Sequence, residues 1–224
     1  GFLPTLAAFA PSRLGGMPPP DGLHTLYVSP LKALAHDVQR NLMAPVEAIG
    51  LPIRIETRSG DTPSERKARQ RARPPHVLLT TPESLSLLLS YPEAQTMFAG
   101  LQRIVIDEIH AFAAGKRGDL LALALTRLQA IAPQLRRSAL SATVADPDAY
   151  RRWLAPGGDA AAVTLVEGEP GAPPEVDILL PVEQRVPWGG HAAAWAVPQL
   201  LDAIRANRTT LVFTNTRFLA EFIF

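Results

Sequence analysis

The chain contains no cysteine, which excludes a disulfide framework and a thiolate metal site and makes a reducing compartment the simpler setting. It has no run approaching the roughly 18 uninterrupted apolar residues that a membrane-spanning helix needs. The opening GFLPTLAAFA lacks a basic lead-in and carries Pro4, so it does not read as a signal peptide, and the cytoplasm is the expected location. A strong charge of either sign is missing too: the net charge is +1, which says little about partners. There is no initiator methionine, and both ends fall within helix-like sequence, so the chain is expected to be a fragment of a longer protein.

What is present points to a packed α/β protein. With 224 residues and 47% hydrophobic content, the chain can bury roughly 70% of its unfolded surface. Short apolar runs alternate with helical periodicity, the pattern of a mostly parallel sheet flanked by helices. Charge is unevenly spread. Between Arg54 and Arg73 seven basic residues face three acids, either a track for nucleic acid or a solvated helix face.

The most informative stretch is RIVIDEIHAFAAGKRGD, residues 103–119. Ile104-Val105-Ile106 reads as a strand buried on both faces, ending at Asp107 and Glu108. Ligands of open α/β sheets bind at that end of the strands. One carboxylate there can hold Mg²⁺ while its neighbour readies a water for attack on a phosphoryl group. The alternative is that both acids simply favour the amino end of a following helix.

Other strands are expected at Thr25–Val28, Ile53–Glu56, Val77–Thr80, Arg137–Leu140, Val163–Val166 and Thr209–Phe213, with Val176–Val182 extended. Ser29 and Pro30 suit the cap and first position of a helix continuing through Leu42, whose free N–H groups could meet an anion. Arg58-Ser59-Gly60-Asp61-Thr62 is either a phosphate cradle or a turn. Thr81-Pro82-Glu83 makes a well-built helix start. Ser141-Ala142-Thr143 ends a strand, and Thr214-Asn215-Thr216-Arg217 follows another. Loops are expected at Gly15–Gly22 and around Pro187–Gly190, with helices over 1–13, 119–131 and 192–207. Glu167–Pro174 has the composition of a linker.

Taken in order, Ser29-Pro30-Leu31-Lys32-Ala33-Leu34, Thr81-Pro82-Glu83, Asp107-Glu108-Ile109-His110, Ser141-Ala142-Thr143 and Val212-Phe213-Thr214-Asn215-Thr216-Arg217 resemble the motif set of superfamily 2 DExH-box helicases. RSGDTPSERKARQRARPPHVLLTTPESLSLLL and DEIHAFAAGKRGDLLALALTRL resemble the large helicase-related (Lhr) group of DNA helicases. The segment from Pro187 onward resembles the ligase-associated branch.

This resemblance implies a RecA-like P-loop NTPase fold. It places a first domain at 1–167, a linker at 168–175 and the start of a second domain at 176–224. It implies an enzyme that uses ATP and Mg²⁺ to move 3′-to-5′ on DNA, in DNA repair, with a DNA ligase and a nuclease as partners. Asp107 would coordinate Mg²⁺, Glu108 would activate water, and His110 would link the nucleotide site to Ser141 and Thr143. Lys32, Arg58, Gly60, Asp61, Thr62, Thr81, Pro82 and Glu83 would lie along the nucleic-acid track, joined by Thr214, Asn215 and Arg217 from the second domain.

The family's Gly-rich phosphate loop should precede Gly1, and the later motifs with their arginine finger should follow Phe224. Two expectations follow: the polypeptide alone hydrolyses no ATP at a useful rate, and strand edges left unpaired make it poorly soluble. The rival readings are an RNA helicase and a non-catalytic module that binds nucleic acid or a partner.

Overall fold

The computed structural model describes residues 1–13, 21–112, 115–142, 144–169, 171–178 and 194–224. The chain divides into two units, Gly1–Glu167 and Gly168–Phe224.

In the first unit five parallel strands form one sheet. They are β1 (Thr25–Val28), β2 (Ile55–Arg58), β3 (Val77–Thr80), β4 (Arg103–Ile106) and β5 (Arg136–Ala139), in the spatial order β2-β3-β1-β4-β5. Helices α1 (Leu3–Arg13), α2 (Lys32–Ile49), α3 (Ser64–Ala72), α4 (Pro82–Ser90), α5 (Ala94–Phe98), α6 (Lys116–Ile131) and α7 (Pro147–Leu154) connect and cover them.

Alternation along the strands explains the layers. Leu26, Val28, Leu78, Ile104 and Ile106 point to one face, where they pack with Leu85, Leu88, Phe98, Leu121 and Leu128. Tyr27, Val77, Leu79 and Val105 point to the other, against Phe9, Ala35, Leu42 and Val46. Because β1 and β3 are buried along their whole length, their sequences are apolar runs rather than alternating ones, as two-sided burial requires. Each fully buried aliphatic side chain contributes about 1.5–3 kcal/mol.

The register positions the site. Arg58 pairs with Thr80, Thr80 with Val28, Val28 with Ile106 and Ile106 with Ala139. All five strands therefore end in one row, and the segments after them, beginning at Ser59, Thr81, Ser29, Asp107 and Leu140, leave the sheet along one edge. Neighbouring strands lie about 4.8 Å apart, so that row spans roughly 20 Å.

Several boundaries differ from those expected. The second strand runs over Ile55–Arg58 and the fifth over Arg136–Ala139. Residues 164–166 form no ladder, and Val166 is 86% exposed; a β-prone stretch becomes a strand only beside a partner. Residues 210–214 and 176–178 likewise form no ladder. In the second unit α8 (Val197–Ala206) and α9 (Arg217–Ile223) are formed. Most of the expected Gly15–Gly22 loop, the stretch Pro187–Gly190 and residues 179–182 lie outside the described residues. No helix among the described residues is long and apolar enough to cross a membrane.

Candidate functional site

Next to the central strand of the row, the Asp107 N–H donates to the Val28 carbonyl at 2.8 Å, carrying the ladder one residue beyond β4. One Asp107 carboxylate oxygen, Oδ1, accepts the Glu108 N–H at 3.0 Å, and the other, Oδ2, accepts the Tyr27 hydroxyl. Burial first, and then the bond to this carboxylate, raise the Tyr27 phenol above its ordinary range. Tyr27 itself is 1% exposed, and its ring meets that of Phe2 in a tilted contact with centroids 5.3 Å apart. A tyrosine in an otherwise aliphatic strand was the available signal for this contact.

Glu108 adopts φ 49° and ψ 49°, the one non-glycine residue with positive φ among those described. This left-handed conformation is strained for a residue with a Cβ, and such outliers concentrate at functional sites. Here it turns the chain sharply out of β4 into a 3₁₀ turn, Ile109–Ala111.

That turn is anchored to the tip of β5, where the Ile109 N–H donates to the Leu140 carbonyl at 3.0 Å. His110 Nδ1 lies 2.9 Å from Ser141 Oγ and 3.3 Å from Glu108 Oε2. The structure thus brings Asp107, Glu108, His110 and Ser141 together at the ends of adjacent strands. Thr143 lies outside the described residues. Hard carboxylate oxygens at a half-open strand end suit Mg²⁺, which keeps several waters and needs only one or two protein carboxylates alongside a substrate phosphate; among the described residues there is no group of three or more candidate metal ligands.

Along the same edge, Lys32 begins α2 and its Nζ is 2.6 Å from Asp61 Oδ2, both side chains being mostly exposed. The hydrogen bond and charge of Lys32 hold the Asp61 carboxyl below its usual range. Ser29 does not cap the helix. It is fully buried, its Oγ accepts the Leu31 N–H at 3.4 Å, and Leu31 takes the cap position, so Pro30 precedes the helix.

Gly60 is exposed, and its carbonyl accepts Lys67 Nζ at 2.7 Å. Thr62 Oγ1 accepts the Ser59 N–H at 2.9 Å and closes the turn. Lys32, Gly60 and Asp61 therefore share an open, polar surface on the same edge of the sheet as the acids.

Three expected track residues turn inward. Arg58 is 1% exposed, its Nη1 donates to the Lys67 carbonyl at 3.0 Å, and burial lowers its pKa. Its role is to fasten α3 to the sheet, because the last residue of β2 faces that helix rather than solvent. Thr81 is 5% exposed and its Oγ1 meets Ser84 Oγ at 3.4 Å without capping α4. Pro82 is buried at the first position of α4.

Glu83 remains exposed and pairs with Arg117 at 2.7 Å. Burial works to raise its pKa, but the hydrogen bonds from Arg117, from its own backbone N–H and from Thr81, with the Arg117 charge, together outweigh it and keep the carboxyl below its usual range. Arg117 carried no assignment in the sequence, though a basic residue two positions after Gly115 at a helix start was there to be seen.

In the second unit Thr214 Oγ1 donates to the Thr216 carbonyl at 3.0 Å, Asn215 is exposed, and Arg217 opens α9 with Thr216 as its cap.

A sequence profile described as DEAD/DEAH box helicase matches residues 2–150. The ATP-dependent helicase Lhr-Core of Methanothermobacter thermautotrophicus is 37% identical over 209 residues, covering 88% of this chain and 24% of that protein. The Lhr helicase/probable uracil glycosylase of Mycolicibacterium smegmatis is 39% identical over 234 residues, covering 97% of this chain and 15% of that protein.

Among solved structures, the Mycobacterium smegmatis helicase Lhr bound to single-stranded DNA and AMP-PNP superposes with a TM-score of 0.70 at 34% identity, over 99% of this chain and 29% of that one. The DUF1998 helicase MrfA bound to DNA and AMPPNP gives 0.69 at 27% identity, over 90% and 28%. The chain thus spans between about a seventh and three tenths of the length of these relatives. The five-stranded parallel sheet is that of a RecA-like helicase domain, and the chain belongs to the DEAD/DEAH box helicase family, with Lhr-type ATP-dependent helicases among its relatives.

Proposed function

We propose that residues 1–167 form most of the first RecA-like domain of a DNA-dependent ATP hydrolase that translocates on or unwinds DNA, and that residues 176–224 begin the second. The observation that carries this reading is the Asp107-Glu108 pair at the strand-end row, tied to the tip of β5 through Ile109 and Leu140 and through His110 and Ser141.

In this reading Asp107 would hold Mg²⁺, with Tyr27 fixing one of its oxygens. Magnesium bound there would withdraw charge from the phosphate oxygens of ATP. Glu108 orients a water for in-line attack on the γ-phosphorus and takes its proton while the bond to the bridging oxygen breaks. His110, touching both Glu108 and Ser141, transmits the change at the nucleotide to the β5 tip. Lys32 and Asp61 sit where a strand's phosphates would pass, with the backbone around Gly60, Thr62, Thr81 and Pro82 beside them; Thr214, Asn215 and Arg217 would serve the second domain.

DNA rather than RNA is favoured by the two relatives solved with DNA. A role in DNA repair, partnership with a ligase and nuclease, and a cytoplasmic location belong to the same proposal. The test is ATP hydrolysis by the full-length protein with and without single-stranded DNA or RNA. Stimulation by DNA that Glu108→Gln abolishes is the expected result. Stimulation by RNA alone moves the substrate assignment, and hydrolysis unaffected by Glu108→Gln overturns the site.

A further inference from the structure

Arg117 occupies the second position of α6, where the helix dipole disfavours a cation. Its side chain makes three separate contacts there. Nε lies 2.7 Å from Glu83 Oε1 at the start of α4, Nη2 donates to the Pro30 carbonyl at 3.0 Å just before α2, and the guanidinium carbon is 5.8 Å from the centre of the Phe112 ring.

Phe112 is 1% exposed, and its N–H donates to the Ile109 carbonyl at 3.0 Å, so it is continuous with the turn that carries His110. The residue after Arg117, Gly118, packs so closely on Phe112 that a Cβ would fall 1.9 Å from the Phe112 carbonyl oxygen. The start of α6 therefore moves with that turn. One side chain thus spans the segments that follow β1, β3 and β4.

We infer that Arg117 is a positioning residue that couples occupancy of the nucleic-acid edge, at Pro30 and Glu83, to the placement of the acid-bearing turn. A strand that shifts the Pro30 and Glu83 segments pulls the guanidinium, and through Phe112 and Gly118 it shifts the turn bearing Ile109 and His110. The Glu83 and Arg117 side chains are 53% and 46% exposed, and water screens such a pair, so the contact adds little to stability. Its value is geometric, because a rigid planar guanidinium fixes the directions in which it meets the carboxylate and the carbonyl, whereas a rotatable ammonium on a flexible stem does not.

This inference rests on the helicase reading, and the experiment separates the two. ATP hydrolysis by the full-length protein, wild type, Arg117→Ala and Arg117→Lys, is measured without DNA and at saturating single-stranded DNA, together with DNA affinity by fluorescence anisotropy and melting temperature. The expected result for Arg117→Ala is unchanged basal hydrolysis and melting temperature, DNA affinity within about twofold, and stimulation reduced by roughly tenfold, the scale of an ordinary coupling between sites. Arg117→Lys restores only part of the stimulation.

Weaker DNA binding with full stimulation at saturation would reduce Arg117 to a simple contact and overturn the inference. So would wild-type behaviour of the alanine variant, full rescue by lysine, or a parallel fall of basal rate and melting temperature. A wild-type protein that DNA does not stimulate removes the helicase reading, and this inference falls with it.

Discussion

Glu108 holds the turn after β4 in a backbone conformation that costs an ordinary residue about 1–2 kcal/mol. Replacing it with glycine should relieve that cost, and Glu108→Gly is expected to raise unfolding free energy by about 1 kcal/mol in urea titrations while eliminating ATP hydrolysis by the full-length protein. Glu108→Gln keeps the strain and removes only the proton acceptor, and it is expected to lower turnover by roughly 10²- to 10⁴-fold at unchanged stability.

Arg58 offers the opposite case. Its guanidinium is buried with one nitrogen, Nη2, unpartnered, and Arg58→Ala should destabilise the domain by about 2–4 kcal/mol through lost packing and the lost bond to α3. A much smaller loss on denaturation would mean that the side chain faces solvent after all. The acids at residues 107 and 108 were legible because an apolar run stopped at them. The burial of Arg58, Thr81 and Pro82 was not legible: a four-residue strand shows too few alternations to say which side its last residue, Arg58, faces, and for Thr81 and Pro82 residue type alone suggests a polar helix start.

Among the secondary-structure elements, the tightest constraint is the contact of α6 with the turn before it. Gly118→Ala would place a methyl carbon 1.9 Å from the Phe112 carbonyl oxygen, far inside van der Waals contact distance, forcing α6 away from the turn. Overpacking of this kind typically costs about 1–3 kcal/mol, despite alanine's better helix propensity, and thermal denaturation of the variant checks it.

The strands buried on both faces, β1, β3 and β4, were readable as apolar runs, and the amphipathic face of α6 was readable from its leucines. Stretches such as Val163–Val166 and Thr209–Phe213 have strand-like composition. Composition records compatibility with a pleated surface and not the presence of a neighbour, so these two were read wrongly. Helix starts were similarly half-legible. Pro30 and Ser29 looked like a cap, yet Ser29 is drawn into the core and the helix begins two residues later, at Lys32.

For the molecule as a whole, acid should act first at the amino ends of the strands. His24 and His76 both have pKa values lowered from 6.5, chiefly by burial and also by Arg103 beside His24 and Arg54 beside His76. The Arg54 N–H donates to His76 Nδ1 at 2.8 Å, which requires the ring to be unprotonated at that nitrogen. Below about pH 6.5 the unfolded chain binds protons that the folded chain refuses, so stability is full above that pH and falls as pH drops toward the lowered folded values. The urea midpoint is expected to decrease between pH 7.5 and 5.5, and His24→Asn with His76→Asn should flatten that slope. Glu56 and Glu83, also depressed in pKa, lose their contributions only at lower pH, below their ordinary range.

The logarithm of the DNA affinity of the full-length protein should decline linearly with the logarithm of salt concentration, and neutralising Lys32 should reduce the slope by roughly one. An unchanged slope would remove Lys32 from the phosphate path.

The sheet divides the apolar interior into two compartments that share no side chain, one holding Leu26 and Ile104 and the other Tyr27 and Val105. A hydrogen-bonded wall of this kind does not bulge to relieve crowding on one side by borrowing room from the other. Volume lost on one side therefore cannot be recovered by enlarging a residue opposite, and compensating substitutions must be sought within a compartment. Paired truncations such as Leu85→Ala with Leu42→Ala should simply sum, whereas pairs on the same side should not.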